Sequence, residues 1–384
     1  MRTHIAIVRQ SYRDDGGAER FVSRLLSVIG TPDIDVTLIT RRWQELTGNH
    51  DHVSVLNCNP GYVGRLTREW RFSTAVQQAI KEGHFDLVQT NERIPGCHIY
   101  RAGDGVHREW LSQKARTQSL LGRIHSLISP YHIYLKWAEK KLFEDSRLNA
   151  VICNSKMVKD EILKHFRIDH RKIHVIYNSV DGDEFHPRVR MHRSALRQEL
   201  GLSESEPVFL LVGSGFERKG LATAIKAAAV VPDARLVVVG NAKRNTSYLS
   251  LARRLGCLDR IRFAGVVKDV RPWYGMADAL LLPTLYDPFP NVVLEAMSCG
   301  LPVITTTHCG GIDIIEPSQS GYICDALDDG AIADSMRKLT DPVHASAMGA
   351  AARKAVELMS PARMKNELTR LYMGLMESTD EKKS

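Results

Sequence analysis

The clearest chemical spacing in the chain belongs to two carboxylates, Asp287 and Glu295, in the stretch YDPFPNVVLEAMSCG. An apolar strand-like run precedes them, and a helix is predicted to start near Asn291, with Pro290 in its first turn and Asn291 as its cap. Free N–H groups at a helix start can hold a phosphate. Glu295 can then accept two ribose hydroxyls while Asp287 reaches past the phosphates, so the spacing suits a nucleotide diphosphate that carries a sugar. The alternative is a turn residue followed by a surface helix residue.

A glycine loop with two adjacent cations is the second pattern. In LLVGSGFERKGLATAI a strand leads to Gly213, and Arg218 and Lys219 follow immediately before a helix. Two cations at a helix N-terminus can neutralise a leaving diphosphate. The loop has neither the G-x-x-x-x-G-K-[ST] order of a P-loop nor a G-x-G-x-x-G dinucleotide fingerprint. A solvated basic helix start is the alternative.

Two weaker patterns lie in the first half of the chain. Gly16 and Gly17 follow the first strand in YRDDGGAERF and permit a backbone to come close to a ligand. Asp104 and His107 lie in the glycine-containing loop AGDGVH, where they can offer an acid/base or sugar-binding pair. Each pattern also fits an ordinary hydrogen-bonded turn.

No pattern predicts a metal site. Asp181 and Asp183 form a D-x-D, but they lie in a turn that they are expected to close. The seven cysteines are scattered without a C-x-x-C pair, which favours reduced thiols in a cytoplasmic protein. The N-terminal apolar run is too short and too polar for a signal peptide, and no run of about 18 apolar residues predicts a transmembrane helix.

The net charge of +8 indicates a polyanionic partner, which can be nucleic acid, an anionic membrane or a phosphorylated substrate. The segment 111–137 has no acidic residue and mixes Lys and Arg with Tyr131, Tyr134 and Trp137. This composition suits the surface of an anionic bilayer. No recognition motif for nucleic acid accompanies it. The alternative is an ordinary helix with a basic outer face.

Alternating strands and helices must position these residues. Continuous apolar strands between helical patterns predict parallel sheets covered on both faces, and the pattern restarts at about residue 206 after a polar linker. The expected fold is α/β, with two doubly wound Rossmann-like domains facing a deep cleft that collects ligands. The predicted domains are 1–190 and 191–362, and 363–384 is expected to be a helix crossing back to the first domain, with a charged tail. The predicted strands are 4–8, 35–40, 86–90, 150–154, 173–178, 208–213, 235–240, 261–265, 279–283 and 302–306.

Taken together, these motifs resemble the retaining glycosyltransferases of family 4, which have the GT-B fold. The pieces are GGAER, YNSVDGDEF, GSGFERKG, VVGN and ADALLLPTLYDPFPNVVLEAMSCGLPVITT, in the family's order between about residues 5 and 320. The family signature is E-x7-E, and this chain has Asp287 in place of the first Glu and Glu295 at the second. NERIPGCHIYRAGD makes the likeness strongest to the family's lipopolysaccharide core glucosyltransferases.

The resemblance implies a role for each candidate residue. Glu295 would bind the ribose, Arg218 and Lys219 the diphosphate, and Asp287 the donor sugar. The residues expected to bind the donor are Gly16, Gly17, Gly213, Arg218, Lys219, Gly240, Asn291, Val292 and Glu295. The residues expected at the reacting centre are Asp104, His107 and Asp287.

The resemblance also implies an activity. The first domain would bind the acceptor and the second a nucleotide diphosphate sugar, with UDP-glucose as the expected donor. Transfer of the hexose to a lipid-linked saccharide, lipopolysaccharide core in particular, would retain configuration and require neither metal nor cofactor. The expected location is the cytoplasmic face of the inner membrane, bound through 111–137, with no nucleic-acid partner. A nucleotide-sugar 2-epimerase of the same fold is one alternative, and a non-catalytic subunit that binds nucleotide sugars or lipopolysaccharide is another, which Asp287 keeps open.

Overall fold

The computed structural model describes residues 2–10, 34–42, 53–241 and 246–380. These residues form two parallel sheets with flanking helices, and the chain divides into two compact units. The first unit consists of Met1–Asn178 together with Ala362–Ser384, and the second of Ser179–Pro361. The division therefore falls between residues 178 and 179, earlier in the chain than the boundary expected after residue 190.

The first unit is built on a seven-stranded sheet in which all pairs are parallel, with the order β3-β2-β1-β4-β5-β6-β7. Its strands are β1 (Thr3–Val8), β2 (Ile34–Thr40), β3 (Val53–Asn57), β4 (Leu87–Thr90), β5 (Ile99–Arg101), β6 (Ala150–Cys153) and β7 (Ile173–Val175). In the central strand, Ile5 is opposite Val36 on one side and Leu87 on the other. The strand order reverses between β1 and β4, and in open α/β sheets ligands bind outside the carboxyl ends at such a reversal.

Helices cover both faces of this sheet. They are α1 (Gly64–Gly83), α2 (His107–Ala115), α3 (Leu120–Ile128), α4 (Pro130–Phe143), α5 (Lys156–His165) and the C-terminal helix Pro361–Asp380. Leu368 and Tyr372 of the C-terminal helix are buried in one cluster with Ile5 and Leu38 of the sheet. The last helix of the chain therefore completes the core of the first unit.

The second unit has a six-stranded parallel sheet with the order β10-β9-β8-β11-β12-β13. Its strands are β8 (Val208–Val212), β9 (Arg235–Val239), β10 (Ile261–Gly265), β11 (Ala279–Leu281), β12 (Val303–Thr306) and β13 (Gly321–Cys324). Its helices are α6 (Arg193–Glu199), α7 (Leu221–Ala229), α8 (Thr246–Arg254), α9 (Arg271–Met276), α10 (Asn291–Ser298), α11 (Asp329–Lys338) and α12 (Pro342–Val356). Here the strand order reverses between β8 and β11.

Burial explains why the strands read as continuous apolar runs. Every residue of β8, VFLLV, is buried, because helices cover both faces of a doubly wound sheet. The expected α/β fold with two parallel, Rossmann-like sheets is confirmed. Within the described residues, no helix is both long and apolar enough to cross a bilayer.

Candidate active site

The helix that carries Glu295 starts at Asn291, where its start was predicted, but its N-cap lies one residue before the predicted cap. Strand β11 ends at Leu281, and α10 begins at Asn291 with Pro290 in the N-cap position. The prediction that Asn291 caps this helix is therefore wrong. No side chain of the cap residue accepts from the first turn, since proline has no polar group to offer. The helix start thus presents backbone amides at the carboxyl edge of the second sheet.

Glu295 lies in the second turn of α10 and points into the protein. It is only 6% exposed, and the hydroxyl of Tyr274 donates to its Oε2 at 2.8 Å. Tyr274 is fully buried on α9 and has an edge-on contact with Phe185. The alternative of a surface helix residue is therefore wrong for Glu295. A buried carboxylate whose orientation is fixed by a tyrosine can accept hydrogen bonds from ligand hydroxyls.

The backbone of Asp287 is fixed by the loop that follows β12. Its N–H donates to the carbonyl of His308 at 2.9 Å, and its own carbonyl accepts from the N–H of Gly310 at 2.8 Å. These bonds make a short parallel bridge between Asp287 and Cys309. Two backbone hydrogen bonds therefore hold Asp287 to the loop after β12. Asp287 is thus not only a turn residue, as the alternative supposed.

The side chain of Asp287 joins the two cations of the glycine loop. Its Oδ2 accepts from Lys219 Nζ at 2.6 Å and from Arg218 at 2.8 Å, and Arg218 also donates to the carbonyl of Tyr286 at 3.1 Å. Burial acts to raise the pKa of Asp287, but the charges of Lys219 and Arg218 and their hydrogen bonds outweigh it, so the pKa lies below its usual value. The carboxylate is therefore ionised and bound to both cations.

Close backbone contacts bring this cluster together. Gly220 has φ of 74°, and a Cβ there would lie 1.8 Å from the carbonyl oxygen of Pro283. A Cβ on Gly240 would lie 1.7 Å from the carbonyl oxygen of Gly213. Only glycine fits at either position. The loop after β8 can therefore lie against the loop after β11, where the N–H of Leu285 donates to the carbonyl of Arg218 at 2.8 Å.

The second unit thus places one constellation at the reversal of its sheet. The carboxyl ends of β8, β9 and β11 contribute Gly213, Gly240, the cations and Asp287, and α10 contributes Glu295. Two cations, a helix start and a buried carboxylate match a diphosphate with a hydroxyl-bearing group on one side. A diphosphate that binds here must compete with Asp287 for Arg218 and Lys219.

In the first unit, Asp104 lies in the loop after β5 and its side chain is 60% exposed. The nearest cation is Arg93, at 4.0 Å, while Arg93 itself donates to Glu139 at 2.8 Å and to the carbonyl of Gly105 at 3.1 Å. The loop is thus held by Arg93, and the Asp104 carboxylate is left accessible to solvent and ligands.

His107 is the first residue of α2 and is buried. Its Nε2 lies 3.0 Å from Nδ1 of His132 on α4. Burial, reinforced by the charge of Arg93 and the proximity of His132, lowers the pKa of His107 to about 3. The imidazole is therefore neutral at physiological pH and cannot act as a cationic acid. Its observed contact is structural, between α2 and α4.

Glu139 is the residue that the sequence reasoning missed. It is almost fully buried on α4, and its Oε1 accepts from Arg93 and, at 2.7 Å, from the N–H of His107. Oε2 of the same carboxylate has no hydrogen-bond partner among the described residues. Glu139 therefore ties the Asp104 loop to α4. The only sequence signal was one acid in the basic stretch KWAEKK.

The basic, aromatic segment 111–137 is broken into parts of three helices. None of the residues of α3 is buried, and its apolar side chains recur on one side of the helix. These exposed residues are Leu120, Leu121, Ile124, Leu127 and Ile128. On α4, Ile133 and Trp137 are also half exposed. The segment 111–137 contains no acidic residue. Its exposed apolar face is larger than the patches that single, scattered leucines form on a protein surface.

Three remaining predictions concern glycines and metals. Gly16 and Gly17 lie outside the described residues. Asp181 closes its turn, as expected, because its Oδ1 accepts from the N–H groups of Asp183 and Glu184 at 2.9 and 3.3 Å. Within the part of the chain that the structure describes, His, Cys, Asp and Glu form no group that could hold a metal ion.

Known families match both halves of the chain. A family model described as Glycosyltransferase Family 4 matches residues 15–184. A second, described as Glycosyl transferases group 1, matches residues 192–355.

Individual relatives match most of the chain. The chain is 30% identical over 330 residues to the lipopolysaccharide core biosynthesis glycosyltransferase LpsE of Rhizobium meliloti, covering 82% of each protein. It is 26% identical over 326 residues to the lipopolysaccharide glucosyltransferase WaaG of Escherichia coli, covering 83% of this chain and 84% of WaaG.

Solved structures show the same fold. The crystal structure of WaaG superposes with a TM-score of 0.80 at 22% identity, covering 96% of this chain and 99% of WaaG. The Anabaena protein HepE, solved in complex with UDP-glucose, superposes with a TM-score of 0.70 at 18% identity, covering 97% of this chain and all of HepE.

Proposed function

The chain belongs to glycosyltransferase family 4 and has the GT-B fold, and from this membership we propose that it transfers glucose from UDP-glucose to a lipid-linked saccharide with retention of configuration. The observation that carries the proposal is the cluster of Asp287, Lys219 and Arg218 beside the buried Glu295. The acceptor we propose is the core of lipopolysaccharide, because LpsE is named for lipopolysaccharide core biosynthesis and WaaG for lipopolysaccharide.

In this proposal each group of the second unit holds one part of the donor. Glu295, oriented by Tyr274, accepts the ribose hydroxyls. Arg218 and Lys219 bind the diphosphate, helped by the amides of Asn291 and Val292 at the start of α10. The glycines Gly213 and Gly240 allow the backbone to approach the donor. These are the groups that a nucleotide diphosphate sugar requires.

Asp287 has two functions in the proposed mechanism. Before the donor binds, its negative charge neutralises the positive charges of Lys219 and Arg218. When the diphosphate takes over those cations, the carboxylate is released to accept hydroxyls of the donor sugar. The two cations then stabilise the charge that develops on the leaving diphosphate, which is the main electrostatic contribution of the protein. The acceptor hydroxyl attacks the donor sugar on the face from which the diphosphate departs and passes its proton to the departing phosphate oxygen. UDP leaves as the second product, and configuration is retained.

The first unit contributes the acceptor side. Asp104, exposed and held in its loop by Arg93, contacts the acceptor near the reacting centre. His107 is neutral and bonded to His132, so its role here is to position the Asp104 loop. The proposed reaction uses no metal ion, since the cations supply the positive charge.

The proposed acceptor is attached to a lipid, which requires the protein to work at a bilayer. The apolar face of α3 carries Leu121, 79% exposed, and the surrounding segment 111–137 is basic throughout. Apolar side chains that enter the interface, flanked by Lys and Arg, bind an anionic leaflet. We therefore place the protein on the cytoplasmic face of the membrane as a peripheral protein.

The experiment that tests the donor is calorimetry of the purified protein with UDP, GDP and their glucose and mannose derivatives, with and without chelator. Binding selective for UDP-glucose and indifferent to chelator is expected. Transfer to lipopolysaccharide core is then followed by NMR of the product, in which an α-glucoside from the α-linked donor establishes retention. Conversion of the donor without an acceptor to a different free nucleotide sugar would support the epimerase instead, and binding without turnover would support the non-catalytic subunit.

A further inference from the structure

A cavity of about 260 Å³ lies entirely in the first unit, at the reversal between β1 and β4. Residues directly after three strands form its floor: Gln10 after β1, Glu92 after β4 and Asp104 after β5. Helices α1 and α4 form its walls. Of the proposed site residues that the structure describes, Asp104 alone lines this cavity.

Its size suits one sugar ring. A volume of 260 Å³ corresponds to about nine water molecules at liquid density. Sites for drug-sized ligands begin at about 300 Å³. A single pyranose ring with its hydroxyls fits this volume.

The charges in the wall are balanced and paired. Among the described residues, three arginines and three carboxylates line the cavity, and each arginine has an acid beside it: Arg9 with Glu92 at 3.2 Å, Arg68 with Glu69 at 2.8 Å, and Arg93 with Asp104 at 4.0 Å. Arg93 is further neutralised by the buried Glu139. A phosphate needs an excess of positive charge, which the described part of this wall does not provide.

The remaining wall groups match the surface of a carbohydrate. Carboxylates accept hydrogen bonds from hydroxyl groups, and the Gln10 amide can both accept from them and donate to them. The aromatic rings of Phe72, Tyr131 and Tyr134 give the apolar C–H face of a sugar ring a surface to pack on.

We infer that this cavity binds an uncharged sugar ring of the acceptor, and that its carboxylates exclude a ring bearing a phosphate ester. The inference rests on the proposed function, because it makes the cavity the acceptor side of that reaction. On this inference, the net charge of +8 favours binding to the anionic membrane and to the donor diphosphate rather than to phosphates on the acceptor.

The fold gives a lipid-linked ring access to this cavity. Helix α4 lines it with Tyr131, Tyr134 and Leu135. The same helix exposes Ile133 on another side and Trp137 beside Tyr134, and it follows α3 with its apolar face. A bilayer against that outer face lies one helix diameter, about 10 Å, from the cavity. The acceptor lipid can therefore stay in the bilayer while its sugar occupies the cavity.

The test measures binding of simple glycosides to the full chain by saturation-transfer NMR. The probes are the methyl glycosides of a hexose and a heptose and the monophosphate ester of each. Burial raises the pKa of Glu92 against the opposing charge of Arg9, so the titrations are run at about pH 8, where carboxylates are ionised. The wild-type protein is expected to bind at least one neutral glycoside at least about tenfold more tightly than its phosphate ester.

Two variants make the test specific to the cavity. Glu69→Gln with Glu92→Gln leaves an excess of positive charge, and we expect affinity for the phosphate ester to rise at least about tenfold while affinity for the neutral glycoside falls. Ser73→Phe fills the cavity and should abolish both. The control is Glu82→Gln, an exposed acid on the same helix, α1, which should change neither.

UDP-glucose binding to each protein separates this inference from the proposed function. If the wild-type protein binds UDP-glucose but prefers the phosphate esters, or binds no glycoside, the inference is wrong and the proposed donor stands. Glycoside binding that Ser73→Phe leaves intact, while UDP-glucose still binds, contradicts the cavity assignment as well. Selective glycoside binding without UDP-glucose binding would overturn the proposed donor and leave the sugar subsite in place.

Discussion

Lys219 Nζ lies 2.6 Å from Oδ2 of Asp287, the same oxygen that accepts from Arg218 at 2.8 Å. In the proposed mechanism, the donor diphosphate and the Asp287 carboxylate would therefore compete for one pair of cations. Because Lys219 is almost fully buried, its charge needs an anion throughout, which would be the carboxylate before the donor binds and the diphosphate afterwards. This exchange couples donor binding to release of the carboxylate.

The first prediction concerns Asp287→Asn. Without the competing charge, UDP should bind about five- to tenfold more tightly, which corresponds to roughly 1 kcal/mol. The unliganded protein should be less stable by about 3 kcal/mol, since Lys219 loses its partner, and transfer should fall at least about a hundredfold. Calorimetry with UDP measures the affinity, urea unfolding measures the stability, and an assay of glucose transfer measures the rate. Asp334→Asn, an exposed acid paired with Arg337, is the control. Weaker UDP binding by Asp287→Asn would contradict the exchange.

The second prediction separates Glu295 from the residue that orients it. Glu295→Gln keeps the shape but loses the charge, and we expect UDP affinity to fall about ten- to a hundredfold, from loss of charge-assisted bonds to the ribose. Tyr274→Phe removes only the hydroxyl that donates to Oε2, so the fall should be about threefold to tenfold.

The base-free probe ribose 5-phosphate provides the internal check on Glu295. Its affinity should fall in Glu295→Gln by a factor similar to that for UDP, because the lost contacts are to the ribose. If inorganic diphosphate lost affinity equally, Glu295 would be acting on the phosphates and the ribose assignment would be wrong.

The third prediction tests the contact that brings the glycine loop to Asp287. Gly220→Ala should destabilise the second unit by at least about 3 kcal/mol for two reasons. The added Cβ would lie 1.8 Å from the Pro283 carbonyl oxygen, and the left-handed backbone at this position disfavours any residue with a Cβ. Gly256 has a similar φ of 65° with nothing within 4 Å of a Cβ, so Gly256→Ala should cost only about 1 kcal/mol. Urea unfolding measures both, and equal costs would show that the contact with Pro283 does not matter.

Much of this arrangement followed from the sequence because doubly wound sheets obey strong local rules. Continuous apolar strands predicted two parallel sheets, and the motif residues lie where strands end, as the rule for such sheets requires. Three strands escaped prediction. Strand β5 has only three residues, and β3, whose residues are mostly exposed, lies at the sheet edge and lacks the buried pattern. Strand β13, Gly321–Cys324, forms the other edge of the second sheet and starts at a glycine.

The tertiary contacts of the site could not be predicted in the same way. Nothing in the spacing of Asp287 indicates that it binds both Arg218 and Lys219, since that contact depends on two glycines fitting against distant carbonyl oxygens. Glu139 lies 46 residues from Arg93, and its role appears only when α4 packs beside the loop. The sequence pattern identifies which residue types lie at the ends of strands. Long-range packing decides which of these residues form ion pairs and hydrogen bonds with one another.

The fourth prediction uses the buried His107. Its folded pKa of about 3 lies below the unfolded value of 6.5, so between these values the unfolded chain binds more protons, and stability falls as pH decreases from about 6.5. Each pH unit in that range costs up to about 1.4 kcal/mol. His107→Gln can keep a hydrogen bond to His132 without this penalty.

Urea unfolding at about pH 7.5 and about pH 5 measures the difference. We expect the wild-type protein to lose about 1–2 kcal/mol more than His107→Gln over that interval. His132, whose pKa burial also lowers, is present in both proteins and cancels to first order. His170→Gln, at a position 75% exposed, should lose stability like the wild-type protein. Parallel losses in wild type and His107→Gln would mean that His107 is accessible to protons in the folded state.

The last prediction concerns the membrane. Burying two leucine side chains in a bilayer interface is worth about 3 kcal/mol or more, so Leu121→Gln with Leu127→Gln should weaken binding to phosphatidylglycerol vesicles at least about tenfold. Both side chains are exposed, so melting temperature and UDP affinity should not change. Leu358 is as exposed as Leu121, at 79%, but lies in the second unit, and Leu358→Gln should leave vesicle binding intact.

Salt and lipid composition distinguish the two forces at this surface. If basic residues of 111–137 attract the leaflet, binding of the wild-type protein should weaken as salt rises and should be far weaker on phosphatidylcholine vesicles. The double leucine variant should keep that salt dependence while binding more weakly at every concentration, because its charges are unchanged. Vesicle binding by the variant equal to that of the wild-type protein would show that α3 stays out of the bilayer. The exposed leucines would then have to contact another protein.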